Sequence, residues 1–180
     1  MYNVEEVGGI MKNFKISKTS VFIYILILVN IFIFDQLTKI FVAANMQLGM
    51  SHPIIEDFFY FTYAHNYGAA WSMLSGQAWL FILIAIAACI GITYYFFKTK
   101  EIEILTRLGL VLALSGTIGN LVDRICFGYV RDFIDFIIFG YDFPIFNIAD
   151  MALVIGVGLI ILDMYLEERR MKLEEKKWKQ

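Results

Sequence analysis

The sequence is poor in the residues from which soluble metal, redox and nucleic-acid sites are built. It has only two cysteines and two histidines in 180 residues. Cys89 lies in the middle of one apolar stretch and Cys126 at the outer boundary of another, so we expect two unpaired thiols and no paired-cysteine metal site. His52 and His65 are not part of an HExxH pattern, which argues against zinc. The formal net charge of -2, with no basic stripe, gives no indication of nucleic-acid binding.

Charged residues are scarce along most of the chain, and apolar residues predominate. Hydrophobic residues make up 59% of the sequence, and the mean hydropathy is +0.68, which is too apolar for an ordinary soluble domain. The first apolar stretch is too long for a signal-peptide core, so we predict that it is retained as a span. Four stretches are long enough to cross a hydrocarbon core of roughly 30 Å, at 21–44, 78–97, 104–122 and 146–166.

The loop at 45–77 contains no lysine or arginine, and this absence orients the spans. Twelve of the fifteen basic residues precede span one, join spans two and three, or follow span four. By the positive-inside rule both termini face the cytoplasm, and the loops at 45–77 and 123–145 face outward. A start of translation at Met1 and one at Met11 are both compatible with this orientation. The chain then divides into a cytoplasmic segment, a four-span membrane domain and a charged cytoplasmic tail, at 1–20, 21–166 and 167–180.

The outward loop between spans one and two has a strand-like composition. Its segment FFYFTYAHN (58–66) is rich in aromatic residues and threonine, which favour strands. The sequence therefore predicts an all-α membrane protein with four transmembrane helices and a small outward-facing β-cradle at 45–77.

The following segment NYGAAWSML (66–74) has two interpretations. It is either a turn packed on the membrane surface or a place where Asn66 binds an extended substrate backbone.

Small residues recur at close spacing in spans three and four. Such residues let helices approach closely in lipid, so we expect these two spans to pack tightly against each other. The residues concerned are Gly109, Ala113, Ser115, Gly116 and Gly119 in span three and Ala149, Ala152 and Gly156 in span four.

Two aspartates, Asp132 and Asp150, fall at the outer level of the spans. Asp150 lies within an apolar run, where an ionised carboxylate costs several kcal/mol unless it has partners or takes up a proton. Two neighbouring acids in such a place can share one proton. One then deprotonates a water while the other polarises a scissile carbonyl. The alternative is that each aspartate forms an ion pair with Arg124, Arg131 or Lys39. The sequence does not assign base and acid.

Further polar residues gather at the same level. Asp35 and Lys39 are four residues apart and share one helix face, as an ion pair or as a contact for substrate or a lipid head group. Asn120, Asp123 and Arg124 end span three. The first interpretation is an Asp–Arg network at a helix terminus. In the second, Asn120 and Arg124 orient the neighbouring acids or bind a polar head group.

Three other chemistries compete with an acid pair. A proton or ion translocator also uses buried acids, but it would have them on several levels across the bilayer. An enzyme acting on lipid-linked phosphate would present several basic residues to the outer site. A Ser–Lys hydrolase would need a serine in a nucleophile motif, and none of the candidates has one: Ser51, Ser72, Ser75 and Ser115.

These motifs, taken in order, resemble the lipoprotein signal peptidase family, also called signal peptidase II. The resemblance covers about 20–165 and is highly specific as a set. It is carried by FDQLTKIFV (34–42), NYGAAWSML (66–74), SGTIGNLVDRICFGYVRDFIDF (115–136) and FPIFNIADMALVIGVGLIIL (143–162).

The resemblance implies an aspartic endopeptidase of the bacterial cytoplasmic membrane. It would remove signal peptides from diacylglyceryl-modified prolipoproteins by cutting before the lipidated cysteine, without metal or cofactor. Its implied partners are those substrates, membrane lipids and globomycin-type inhibitors. The resemblance places the catalytic pair on Asp132 and Asp150. Other family positions used for site architecture or substrate contact are Asp35, Lys39, Asn66, Gly68, Asn120, Asp123, Arg124 and Asn147.

Overall fold

The computed structural model describes residues 17–68 and 76–178. The choice between Met1 and Met11, and most of the NYGAAWSML segment, lie outside them. All four long helices of the described part are long and apolar enough to cross a membrane, which confirms the four-span prediction. The elements in order are α1 Lys18–Asn45, β1 Ser51–Ile55, β2 Phe59–Asn66, α2 Ala78–Lys98, α3 Ile104–Phe127, β3 Val130–Ile138, β4 Tyr141–Asp142 and α4 Ile148–Trp178.

The helix ends differ from the expected spans in ways that the local sequence explains. Helix α3 continues to Phe127 and ends at Gly128, which takes the left-handed conformation (φ 79°) that glycine adopts readily. Helix α4 starts at Ile148, and it continues to Trp178 through most of the charged tail. The start of α1 is capped by Ser17, whose hydroxyl accepts the Ser20 N–H at 3.2 Å.

Helix α3 is the centre of the membrane part. Of its span, 56% is buried, against 6% for the α1 and α2 spans. The small residues predicted to allow close packing do so. A Cβ added at Gly109 would lie 2.5 Å from the Gly156 carbonyl oxygen, and one at Gly116 would lie 2.2 Å from that of Ala149. The backbones of α3 and α4 are therefore in direct contact at these glycines.

The antiparallel sheet has the order β1-β2-β3-β4, so it uses more of the chain than the sequence predicted. The strand expected at 58–66 is present as β2. The predicted cradle covers 45–77, whereas β3 and β4 come from the connection between α3 and α4. Residues 130–134 are all buried, so β3 lacks the in–out alternation that identifies a strand in a sequence.

An apolar cluster fixes the sheet to the C-terminal half of α1. Val42 from α1 packs with Tyr63 from β2 and with Phe133 and Ile134 from β3. Phe146, just before α4, packs against the same cluster, and its backbone exchanges hydrogen bonds with Ile134. This packing sets β3 beside the first turn of α4.

Candidate active site

Asp132 and Asp150 come together through one residue, Asn147. Asp132 lies on β3 and Asp150 in the first turn of α4. The Asn147 side-chain Nδ2 donates to Asp132 Oδ1 at 2.6 Å, and its backbone N–H donates to Asp150 Oδ2 at 3.1 Å. The structure thus brings the two aspartates singled out in the sequence to a single site.

The segment NIAD (147–150) forms a reciprocal cap at the start of α4. Asn147 Oδ1 accepts the Asp150 N–H at 3.0 Å, while the Asp150 carboxylate accepts the Asn147 N–H. The carboxylate also lies at a helix N-terminus, where the helix dipole favours negative charge. A buried acid is tolerated here because the helix start itself supplies partners for it.

The other two carboxylate oxygens also accept hydrogen bonds from asparagines. Asn66 Nδ2 donates to Asp132 Oδ2 at 3.0 Å, and Asn120 Nδ2 donates to Asp150 Oδ1 at 2.7 Å. Among residues 17–68 and 76–178, no ion pair joins either aspartate to a basic side chain. The simple ion-pair alternative therefore does not hold.

Burial controls the protonation of Asp132, which is only 2% exposed. Loss of hydration raises the pKa of Asp132 to about 7, and the nearby Asp150 carboxylate adds to the rise. The hydrogen bonds from Asn66 and Asn147 act in the opposite direction but are outweighed. Near neutral pH the site therefore has a proton available on this side chain.

A cavity of about 490 Å³ opens beside the aspartates. One wall is polar and contains Asp150, Asn66, Gly68 and Arg124. The rest of the lining is an apolar wall from the segment before α4 and from one face of α4, with Phe143, Pro144, Ile145, Phe146, Met151, Val154 and Ile155. The last three are well exposed on the helix surface, so the cavity is continuous with the outer surface of α4.

Arg124 supports the polar wall. Its guanidinium donates to the Gly68 carbonyl at 3.1 Å and lies over the Phe81 ring, 5.1 Å from the centroid. The Gly68 N–H in turn donates to Asn66 Oδ1 at 3.0 Å. Arg124 thus holds the chain after β2 so that Asn66 faces Asp132.

A buried ionic cluster lies beside the asparagines. Lys39 Nζ is 2.8 Å from Asp35 and 3.7 Å from Asp123, and all three side chains are almost wholly buried. Asp35 Oδ1 also accepts the Ala149 N–H at 2.9 Å, which ties α1 to the start of α4. The expected Asp35–Lys39 ion pair is therefore present.

Arg131 belongs to this cluster rather than to the aspartate pair. Its guanidinium bonds to Asp123 at 2.7 and 3.1 Å, and its backbone N–H donates to the same carboxylate at 3.0 Å. We had treated Arg131 as a possible partner of Asp132. Neighbouring strand residues point to opposite faces, and Arg131 accordingly points away from the site. The Asp–Arg network at the end of α3 exists, but its arginine is Arg131 and not Arg124.

The sequence interpretation missed the apolar wall and Gln36, whose amide reaches both Asp123 and Arg131. One signal was present, because Met151, Val154 and Ile155 have the spacing of a single helix face.

In the described part of the chain, no three His, Cys, Asp or Glu side chains are grouped to hold a metal ion.

Comparison with known proteins gives a consistent result. The model of the family described as signal peptidase (SPase) II matches residues 27–166. A lipoprotein signal peptidase of Bacillus subtilis strain 168 is 46% identical over 153 residues, which cover 85% of this chain and 99% of that protein. One from Halalkalibacterium halodurans is 43% identical, with coverage of 85% and 98%.

Solved structures agree with these relatives. A bacterial membrane enzyme that is 44% identical superposes with a TM-score of 0.76 over 81% of this chain and 88% of its own. A second is 45% identical, with a TM-score of 0.72 over 78% and 91%. The family match covers well over half of the sequence and includes every residue of the site. The chain therefore belongs to the signal peptidase II family.

Proposed function

We propose that this protein is a lipoprotein signal peptidase that works as a membrane-embedded aspartic endopeptidase. It removes the signal peptide of a diacylglyceryl-modified prolipoprotein by cutting before the lipidated cysteine. The observation that carries the proposal is the joining of Asp132 and Asp150 through Asn147 at the edge of a large cavity. Family membership supplies the substrate class, and the geometry supplies the chemistry.

Hydrolysis follows from one proton shared between the two acids. The ionised aspartate takes a proton from a water, whose oxygen attacks the scissile carbonyl carbon, while the protonated aspartate donates to the carbonyl oxygen. Collapse of the tetrahedral intermediate breaks the C–N bond. The proton held by the first aspartate passes to the leaving amine, and a hydroxyl of the intermediate returns a proton to the second aspartate as the carbonyl forms again. The raised pKa of Asp132 supports its serving as the protonated member at neutral pH.

The two walls of the cavity suit the two parts of a lipidated substrate. Acyl chains would lie against Met151, Val154 and Ile155, which are exposed on the face of α4 and accessible from the bilayer. The peptide would lie along Asn66 and Gly68, whose polar groups line the other wall. In this proposal membrane lipids and globomycin-type peptides occupy the same cavity as the substrate.

The charge distribution supports an orientation with both termini in the cytoplasm and the site facing outward. In this arrangement residues 21–166 form the membrane peptidase domain, and the segments 1–20 and 167–180 are cytoplasmic. The lipid-modified cysteine of a substrate would then reach the aspartates from the outer leaflet.

The rival functions find less support in the geometry. A translocator would have acids spaced through the membrane. In the described helices Asp35, Asp123 and Asp150 gather at one end, and Asp163 lies near the other, where it binds Thr106. A lipid-phosphate enzyme would need free cations, but Lys39 and Arg131 are enclosed in ion pairs. Among the residues that the structure describes, Arg124 is the one basic side chain that lines the cavity.

Asn substitutions in the purified enzyme test the proposal. Asp132→Asn and Asp150→Asn should each reduce cleavage of a diacylglyceryl-modified precursor by about 10³-fold or more, because neither amide can complete the acid pair. Asp163→Asn is the matched control. It makes the same change on α4, away from the site, and should leave cleavage near the wild-type rate.

Two additions to the same assay sharpen the result. Globomycin should block wild-type cleavage, and a chelator should have no effect. Normal insertion of each variant is checked by its thermal unfolding in detergent. Cleavage at the wild-type rate by both site variants would refute the aspartic mechanism.

A further inference from the structure

Three asparagines surround the aspartate pair, and each one donates a hydrogen bond to a carboxylate. Asn66 and Asn147 donate to Asp132, and Asn120 donates to Asp150. A side-chain amide presents a donor on one arm and an acceptor on the other, and half a turn exchanges them. Each asparagine therefore needs a second contact that fixes which arm faces the carboxylate.

Backbone N–H groups fix two of the three amides. The Gly68 N–H donates to Asn66 Oδ1, and the Asp150 N–H donates to Asn147 Oδ1, both at 3.0 Å. A backbone N–H can only donate, so the oxygen of each amide must face it. The nitrogen of each amide is then directed to Asp132.

Within 17–68 and 76–178, no backbone N–H donates to the Asn120 side-chain oxygen. It lies within α3, whose interior N–H groups are used in the helix itself. Its Oδ1 accepts instead from Lys39 Nζ at 3.0 Å and from Asn147 Nδ2 at 3.1 Å. An ammonium group also can only donate, and a charged donor forms the stronger hydrogen bond.

Lys39 is placed for this role and not for contact with substrate. Its side chain has 0% exposure, and its ammonium is held by Asp35 at 2.8 Å. If the Asn120 amide turned round, its oxygen would face Asp150 Oδ1 at the present N···O distance of 2.7 Å. Two acceptors at that distance repel each other, so the carboxylate would have to move or take up a proton.

We propose that Lys39 is a positioning residue that fixes the Asn120 amide with its nitrogen toward Asp150. The inference rests on the proposed function, because it assigns Lys39 a part in aspartate-pair hydrolysis. Lys39 does for Asn120 what backbone N–H groups do for Asn66 and Asn147. It acts on Asp150 through Asn120 and touches neither the substrate nor the reacting atoms.

A double-mutant cycle tests this role. Lys39→Met keeps a long side chain but removes the donor, and Asn120→Ala removes the amide. Each change alone should lower kcat by about 10²-fold with KM within about threefold, because one preorganised donor is lost or misdirected. In the Asn120→Ala background, Lys39→Met should lower kcat by less than about threefold further, since its target is already absent.

Independent effects would overturn the inference. If Lys39 acted on its own, the double variant would lose about 10⁴-fold, the product of the two single losses. A rise in KM with unchanged kcat in Lys39→Met would instead indicate contact with substrate. Arg107→Met is the matched control, because Arg107 is another fully buried cation but bonds the Thr99 carbonyl far from the site. Its kcat should stay within about threefold of wild type.

Loss of Lys39 leaves Asp35 without its nearest cation, so folding needs its own control. The whole cycle is repeated with Asp35→Asn present, where Lys39→Met leaves no unpaired acid at position 35. The same lack of additivity is expected, and multiplication of the two losses in that background would overturn the inference. The Asp132→Asn and Asp150→Asn variants separate the two proposals. Activity in both would refute the peptidase mechanism, whereas inactivity in both with a multiplicative cycle would refute only the role of Lys39.

Discussion

The close approach of α3 to α4 predicts a strong effect of a single methyl group at Gly116. A Cβ added there would lie 2.2 Å from the Ala149 carbonyl oxygen and 3.0 Å from the Leu153 nitrogen. Both are backbone atoms of α4, so no side-chain rotation can relieve the contact. Ordinary contact begins at 3.4 Å, so the backbone must separate by about 1.2 Å. Because Ala149 directly precedes Asp150, this displacement moves a carboxylate of the site.

Gly116→Ala should affect the rate of cleavage more than the stability of the fold. A shift of about 1 Å in a reacting group can cost about 10²-fold in rate, so we expect kcat to fall by about that factor. Overpacking costs about 1–3 kcal/mol in stability. The gain in helix propensity from glycine to alanine returns about 1 kcal/mol. The net loss of stability should therefore be at most about 2 kcal/mol, and the variant should still fold.

Cleavage kinetics and thermal unfolding of the same preparations check this prediction. Gly158→Ala is the matched control, because it lies on α4 and an added Cβ there meets nothing within 4 Å. It should unfold at a slightly higher temperature and cleave at the wild-type rate. If Gly116→Ala also keeps kcat within about threefold of wild type, the α3–α4 contact does not set the position of Asp150.

Two further predictions concern charge. The folded-state pKa of Asp132 is about 7 against an ordinary value of 3.8, so the folded protein binds the extra proton. The free energy of unfolding should therefore fall as pH rises from about 4 to 7, and cleavage should decline above about pH 7. Asp132→Asn should flatten the pH dependence of unfolding. A rise in stability between about pH 4 and 7 would contradict the assignment of this pKa to Asp132. Arg131→Met removes the closest cation of the buried Asp123 and leaves only Lys39, at 3.7 Å, so it should cost about 3 kcal/mol in unfolding measurements. Lys172→Met, in an exposed pair, should cost less than about 1 kcal/mol, and equal losses would contradict the argument.

The membrane helices and the level of the acids could be predicted because they depend on local properties. Length and hydropathy are enough to locate a span, since lipid offers the backbone no other hydrogen-bond partners. Charge in the loops then predicts an orientation for the spans. With a rise of 1.5 Å per residue, Asp35 and Asp150 fall at the same depth. Asp35 and Asp150 could therefore be assigned to one level before any contact was known, whereas the choice of Asp132 and Asp150 as the catalytic pair came from the family resemblance.

The partners of those acids could not be predicted, because they depend on contacts between distant parts of the chain. Lys39 and Asn120 are 81 residues apart, and only the packing of α1 on α3 joins them. The sequence left Arg131 as a possible ion-pair partner of the aspartates, because β3 is buried along residues 130–134 and its in–out strand pattern is hidden. The cap formed by Asn147 and Asp150 did have a local signature, but a span starting at 146 concealed it.

The balance of buried charge explains why the site retains a proton. Asp35 and Asp123 are matched by Lys39 and Arg131, so that cluster has no net charge. Arg124 is then the remaining basic side chain in the wall of the cavity. One cation balances one ionised aspartate, and a second negative charge in a poorly hydrated place would have no partner. The arrangement therefore favours one ionised and one protonated aspartate, which is the state that acid–base hydrolysis needs.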